Sequence, residues 1–294
     1  MTLSLAAIGS QMLIGLSRGM ILFIVASGLT LVFGVLRVNN FAHGTLYMVG
    51  AYLAYSVTLL ASNSGGGFWL ALVIAPLIVA LLSLVIERGL LRFIYKRDHL
   101  MQMLLTYSLI LILGDLVKMV WGTDYKTFAM PPILNGAINL GEVALPIYNL
   151  FLLIIGPCVA VGLWYFLSHT RLGKLCRATA TDREMVDVLG RNSTWVFAFV
   201  FALGGWLAGL GGALIAPTTN IALGMDANIN IYAFLIVVSG GLGNIWGALI
   251  SSVLIGLAEA LGVLFIPGLA IVIPYVIIGV ILIVRPAGLL KSAW

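Results

Sequence analysis

Long apolar runs separated by short polar interruptions set the pattern of this chain. Apolar stretches cover residues 11–36, 45–61, 68–86, 103–120, 147–167 and 194–216. Most approach the roughly 20 residues that a helix needs to cross a bilayer. Their lack of strict polar–apolar alternation argues for helices over a membrane barrel. The last third is less regular. Residues 229–239 are apolar but short, and Gly240-Gly241-Leu242-Gly243-Asn244 breaks the run. A further run, 245–266, carries Glu259; Pro267-Gly268 ends it, and a final run reaches Val284. The pattern predicts an all-α, polytopic integral membrane protein of about eight transmembrane helices. It forms one transmembrane domain over 1–294, with 229–239 as a broken or re-entrant segment.

The polar interruptions differ in kind. Arg37-Val38-Asn39-Asn40-Phe41-Ala42-His43-Gly44 separates the first two runs, and Ser62–Gly67 reads as a flexible turn. Residues 121–146 and 217–228 are turn-rich connectors. The most polar interruption, 169–192 (HTRLGKLCRATATDREMVDVLGRN), divides the chain into two membrane halves. Within it, Thr181 and Glu184 have capping-box spacing. Met185, Val186, Val188 and Leu189 supply an apolar side, and Gly190 is a natural stop. These residues predict a short amphipathic helix over 181–189 at the membrane face; the alternative is a solvated loop with one helical turn.

Composition agrees with the pattern: 62% of residues are hydrophobic and only 9% charged, against about 25% charged in soluble domains. The net charge is +5, but its placement matters more. Arg88, Arg92, Lys96 and Arg97 fill one loop, and Arg171, Lys174, Arg177, Arg183 and Arg191 the dividing loop; Arg285 and Lys291 lie near the end. The opposite loops carry almost only Lys126, offset by Asp124 and Glu142. The positive-inside rule places the basic loops in the cytoplasm and, counting back, the N-terminus outside. The C-terminus falls inside only if 229–239 crosses. The first residues lack a basic leader, so the first run is expected to stay in the mature protein. Nothing points to nucleic acid.

Candidate chemistry is sparse. The chain has no Ser/His/Asp set, no HExxH and no paired carboxylates, and its single Gly-Lys pair, Gly173-Lys174, lacks the rest of a P-loop. No catalytic residue, cofactor or metal site is expected, and Cys158 and Cys176 form no CxxC pair. The candidates are for a membrane path: Asn40, His43 and Gly44 at the first break, Gly240, Gly241, Gly243 and Asn244 at the late one, and Glu259 within a span. The bland alternatives are that Asn40 and His43 satisfy backbone groups, that the glycines serve close helix packing and that Glu259 is packed and hydrogen-bonded. Arg18 is expected to snorkel or to face other helices, and Asp115 with Lys118 to form a local ion pair. Gly44…Gly50-Ala51 and Gly241…Gly247-Ala248 share a G-x5-G-A spacing, one in each half, as in transporters built from repeats.

Gly28–Tyr52 (GLTLVFGVLRVNNFAHGTLYMVGAY), Arg177–Asn192 with the glycines after it, Gly240–Ile250 (GGLGNIWGALI) and Arg285–Leu290 (RPAGLL) together resemble permeases of branched-chain amino acid ABC importers. The loop lacks the EAA–Gly sequence that many importers carry. The resemblance implies a non-enzymatic transport subunit in a bacterial inner membrane. It implies as partners a second homologous permease, two ATPase subunits and a periplasmic binding protein, and as cargo leucine, isoleucine or valine. Relatives that move urea or short amides are an alternative. The dividing loop is then the cytoplasmic coupling segment, with Thr181, Asp182, Arg183, Glu184, Met185, Asp187, Val188, Leu189 and Gly190 as the ATPase-coupling candidates. The rival from another class is an ion-coupled secondary transporter using His43, Asp115 or Glu259; a third is a structural membrane subunit.

Overall fold

The computed structural model describes residues 5–61, 66–95, 97–128, 130–140 and 143–291. The N-terminal residues 1–4, most of the turn expected at Ser62–Gly67, Lys96 and Glu142 lie outside them. Eleven α-helices occur among the described residues: α1 Leu5–Leu36, α2 His43–Leu60, α3 Gly67–Gly89, α4 His99–Trp121, α5 Ile147–His169, α6 Arg171–Thr181, α7 Arg183–Val188, α8 Ser193–Ile215, α9 Met225–Gly240, α10 Ile245–Phe265 and α11 Ile273–Val284. Six of them, α1, α3, α4, α5, α8 and α10, are long and apolar enough to cross a membrane. The segment 229–239, expected as a broken or re-entrant helix, lies within one unbroken helix, α9, and the break follows at Gly241. The 121–146 connector also departs from an all-helical chain. It holds a two-stranded antiparallel ladder, β1 Ala137–Leu140 and β2 Val143–Pro146, with Ile138 opposite Leu145.

The centre of the bundle is α1. Residues 20–32 on it are buried without exception, as expected of a helix apolar all round. It packs on α10, α8, α5 and α9. By contrast α3, α4 and α5 carry exposed apolar faces, with Leu81, Val85, Leu104, Leu111 and Ile154 outward. Lipid is the solvent that suits such faces.

The two halves follow one path in opposite directions. At its end α1 meets the dividing loop, where the Arg37 guanidinium donates to Ala180 O at 3.2 Å; α8 starts from that loop and runs away from it. Each is followed by a non-helical break, 37–42 and 216–224, and then by a helix that begins deep in the bundle. The depth of α2 is fixed by His43, whose Nε2 lies 2.9 Å from Val25 O, about three turns back along α1. The first turns of α9 meet α2 at that level, where Thr45 Oγ1 donates to Asp226 Oδ2 at 2.8 Å and Gly44 N–H to Asn230 Oδ1 at 3.3 Å. Helix α1 packs on α10 as α8 packs on α3, and α1 and α8 cross each other. A Cβ on Gly28 would stand 2.7 Å from Gly204 O at that crossing. This is an inverted repeat, the arrangement common in membrane transporters. The G-x5-G-A echo does not mark it, since Gly44 lies in the first turn of α2 whereas Gly241 follows the end of α9.

The expected Asp115–Lys118 ion pair does not form. Arg18 Nη2 pairs with Glu259 Oε1 at 2.8 Å, joining α1 to α10.

Gly44 and Gly241 have no room for a side chain, for different reasons. A Cβ on Gly44 would press on the Asp226 carbonyl and stand 2.8 Å from the Asn230 Cβ; Gly241 has φ +102° and would overlap Leu290 O. Gly89 has nothing within 4 Å. Gly44→Leu and Gly241→Leu are therefore expected to cost at least the roughly 1–3 kcal/mol typical of overpacking. They should lower the unfolding midpoint of the solubilised protein, with Gly89→Leu near the parent. Equal midpoints for all three would refute this.

Candidate functional site

The dividing loop is two helices joined by a corner. Thr170 starts α6: its Oγ1 accepts the Gly173 N–H at 3.0 Å. Gly173, Cys176, Thr179 and Ala180 are buried, while Arg171 and Lys174 are exposed. Burial pushes the Cys176 thiol up to about 11, so it is not a reactive cysteine.

The cap of the next helix is not the expected one. Thr181 belongs to α6, and its Oγ1 donates to Arg177 O at 3.1 Å. The capping residue is Asp182, whose Oδ1 accepts the Met185 N–H at 3.0 Å. The helix thus spans Arg183–Val188 rather than 181–189. Its far end is as expected. Gly190 has φ +74°, its N–H reaches Asp187 O and the Arg191 N–H reaches Val186 O, both at 3.1 Å. This paired closure is a Schellman motif, for which glycine is suited.

Arg183 and Asp187 are used inward. Asp187 accepts the Ser193 N–H and hydroxyl, each at 2.9 Å, which fixes the start of α8. Arg183 Nε donates to Ser193 Oγ at 3.1 Å, and its guanidinium lies 4.6 Å from the Phe197 ring centre. The other neighbour of Phe197 is Tyr95, edge-on at 5.1 Å, and the Tyr95 hydroxyl donates to Glu87 Oε1 at 2.8 Å. Burial, and then the Glu87 carboxylate, hold the Tyr95 phenol well above its ordinary value, so it remains a donor. A continuous set of contacts therefore joins α7 to α8 and to the end of α3. Val186 is buried at 4% exposure, whereas Met185, Val188 and Leu189 are 55%, 82% and 73% exposed. Glu184 is exposed as well.

The path candidates fall into separate places. Asn40 completes the turn after α1, its Oδ1 accepting the Ala42 N–H at 3.1 Å. His43 is fully buried against Val25 O. Gly240, Gly241, Gly243 and Asn244 hold the C-terminal tail. Ser239 O and Gly240 O accept the N–H groups of Leu289 and Leu290 at 2.8 and 3.2 Å, and Asn244 Nδ2 donates to Lys291 O at 2.8 Å. The Asn244 Oδ1 also caps α10 through the Gly247 N–H, 3.0 Å. This corner shares a cavity of about 110 Å³ with Arg177, so it lies at the dividing-loop end of the bundle.

A larger cleft lies among α1, α5, the end of α8 and the start of α9. It has a volume of about 420 Å³ and is lined in part by Arg18, Tyr47, Asn149, Thr218, Thr219, Asn228 and Tyr232. Sequence reasoning did not single out these residues for a path; they come from five different segments and carry no motif. Of the expected path residues none lines this cleft. Glu259 reaches it only through its ion pair with Arg18.

Comparison with known proteins bears on this geometry. The family model described as the branched-chain amino acid transport system / permease component matches residues 11–285. The chain is 32% identical to the high-affinity branched-chain amino acid transport system permease protein BraD of Pseudomonas aeruginosa, over 95% of this chain and 94% of that one. It is 28% identical to the permease protein LivH of Escherichia coli over the same shares. Against the probable branched-chain amino acid transport permease protein LivH of Methanocaldococcus jannaschii it is 26% identical, over 82% of this chain and 76% of that one. No solved structure matches.

The capping geometry is testable by itself. Asp182→Ala should cost α7 about 1 kcal/mol and speed amide exchange over residues 183–188, while Thr181→Ala should leave that exchange unchanged. Faster exchange in the Thr181 variant alone would restore the capping-box assignment.

Proposed function

The chain belongs to the branched-chain amino acid transport permease family, and from that premise we propose that it forms the membrane path of an ABC importer for leucine, isoleucine and valine. The match over nearly the full length of both chains carries this reading. In it the chain sits in an inner membrane beside a second homologous permease. Two ATPase subunits bind its cytoplasmic face, and a periplasmic binding protein delivers the amino acid. The ion-coupled rival finds less support: His43 is sealed between helices and Glu259 is already paired with Arg18.

For topology, α2, α9 and α11 complete the crossings that the six longer helices begin. The N-terminus is then outside and the C-terminus inside. The gathering of charge supports this, because Arg177 and the tail residues Leu289–Lys291 adjoin one corner. A cytoplasmic location suits that end.

The dividing loop couples permease to ATPase through α7. Met185, Val188 and Leu189 present the apolar contact, as amphipathic helices do in grooves. Asp182 and Gly190 define its ends. Glu184 adds charge that steers docking. Arg183 and Asp187 act from behind, tying α7 to α8, so that a push on the helix reaches the membrane core.

Two outcomes test this. Uptake by the reconstituted complex should require ATP hydrolysis; uptake that persists with ATPase-dead partners and follows a proton or sodium gradient would sink the importer reading. Replacing Val188 and Leu189 together by Asp should leave the protein made and inserted but abolish uptake and co-purification of the ATPases. Normal uptake with the ATPases still bound would exclude α7 as the coupling element.

A further inference from the structure

The cleft at Arg18 has the chemistry of a receptor for a small zwitterion. The side chain of Arg18 is 52% exposed, and that of Glu259 behind it only 10%. The guanidinium spends one N–H of Nη2 on Glu259 Oε1, and the second Nη2 hydrogen can pair with a neighbouring N–H as a fork. Among the described residues no other acceptor lies within hydrogen-bond distance of it. Glu259 Oε2 is buried with no hydrogen-bond partner there. A buried carboxylate therefore holds a guanidinium whose residue lines the cleft. Such a fork recognises carboxylates in two parallel hydrogen bonds. A lone arginine facing lipid would be costly; this one is paired with Glu259 and opens on the cleft.

The rest of the wall complements the rest of an amino acid. Thr218, Thr219 and Asn228, whose side chains carry oxygens, line the cleft together with the apolar Ile21, Leu22 and Leu152. Its volume, about 420 Å³, falls in the range of small-molecule sites. We propose that this cleft is a binding station for the transported amino acid within the permease. Arg18, held by Glu259, takes the α-carboxylate. The threonine and asparagine oxygens take the ammonium group, and the aliphatic side chain lies on the α1–α5 wall. The proposal rests on the amino-acid importer reading and adds to it a site inside this chain.

The test uses the whole complex in nanodiscs without binding protein, so that the permease alone is read. Ile14→Cys, at a lining position with no assigned part in binding, is introduced with Cys158→Ser; Cys176 stays, buried and with its thiol raised. Labelling of the new cysteine by a maleimide is followed against added leucine or leucinamide, which keeps the side chain and amine but lacks the carboxylate. Leucine is expected to protect at a concentration about tenfold or more below leucinamide, the scale of one charge-assisted hydrogen bond. Because Arg18→Met alone would strand a buried carboxylate, Arg18→Met is combined with Glu259→Gln. This pair should retain assembly, read by co-purification of the ATPases, yet lose the preference for leucine. Equal protection by the two ligands, or the same preference in the double variant, would overturn the site. Leucine uptake by the intact complex with no protection at all would overturn the site and leave the importer reading standing. Absence of leucine uptake would overturn both.

Discussion

The fold depends on satisfying backbone groups where two helices start inside the bundle. A helix that begins at membrane depth has free N–H groups with no water to receive them. At the first break Asn40 serves Ala42, and Asn230 on α9 both accepts from Gly44 and donates to Phe41 O at 2.8 Å. Asn230 thus serves the opposite half of the chain. Thr45 on α2 answers in turn by donating to the Asp226 carboxylate, so the two interrupted segments are tied to each other. The close crossing of α1 and α8 at Gly28 and Gly204 follows, because only bare backbone lets the two starts meet.

A second set of contacts turns the dividing loop into a rigid attachment. Without the Asp187–Ser193 and Arg183–Phe197 contacts, α7 would be a short helix hinged at Asp182 and Gly190. With them its orientation is that of α8, and through Tyr95 and Glu87 also that of α3. Arg183 and Asp187 are spent on this internal bracing, whereas Met185, Val188 and Leu189 are left outward and Val186 alone of the apolar residues turns in. That division reverses the usual economy of a surface helix, in which the apolar side faces the protein.

The membrane helices were legible because apolar runs near the bilayer span have few other uses. The breaks were legible too, since Asn, His and Gly clusters stand out in so apolar a chain. What each break does was not legible, because its partners are remote: Asn230 answers Gly44, and the Lys291 carbonyl answers Asn244. The cap was misplaced by one residue because Thr181 and Asp182 are both good caps. The choice fell to α6, which runs on through Thr181 and uses its hydroxyl on Arg177 O. The cleft was invisible for the same reason as the breaks' partners. Threonines, asparagines and tyrosines on separate segments become a site only when the bundle closes. Similarly, β1 and β2 are four residues each, too short for alternation to show.

The tail contact has a consequence for how the molecule is made. Chains emerge from the ribosome N-terminus first, so α9 and α10 exist before residues 288–291 have been synthesised. Until then Ser239 O, Gly240 O and one amide arm of Asn244 lack the partners they have in the finished protein. The corner between α9 and α10 is therefore closed by backbone that is synthesised after all eleven described helices. A truncated product would carry every helix and still lack its final clasp.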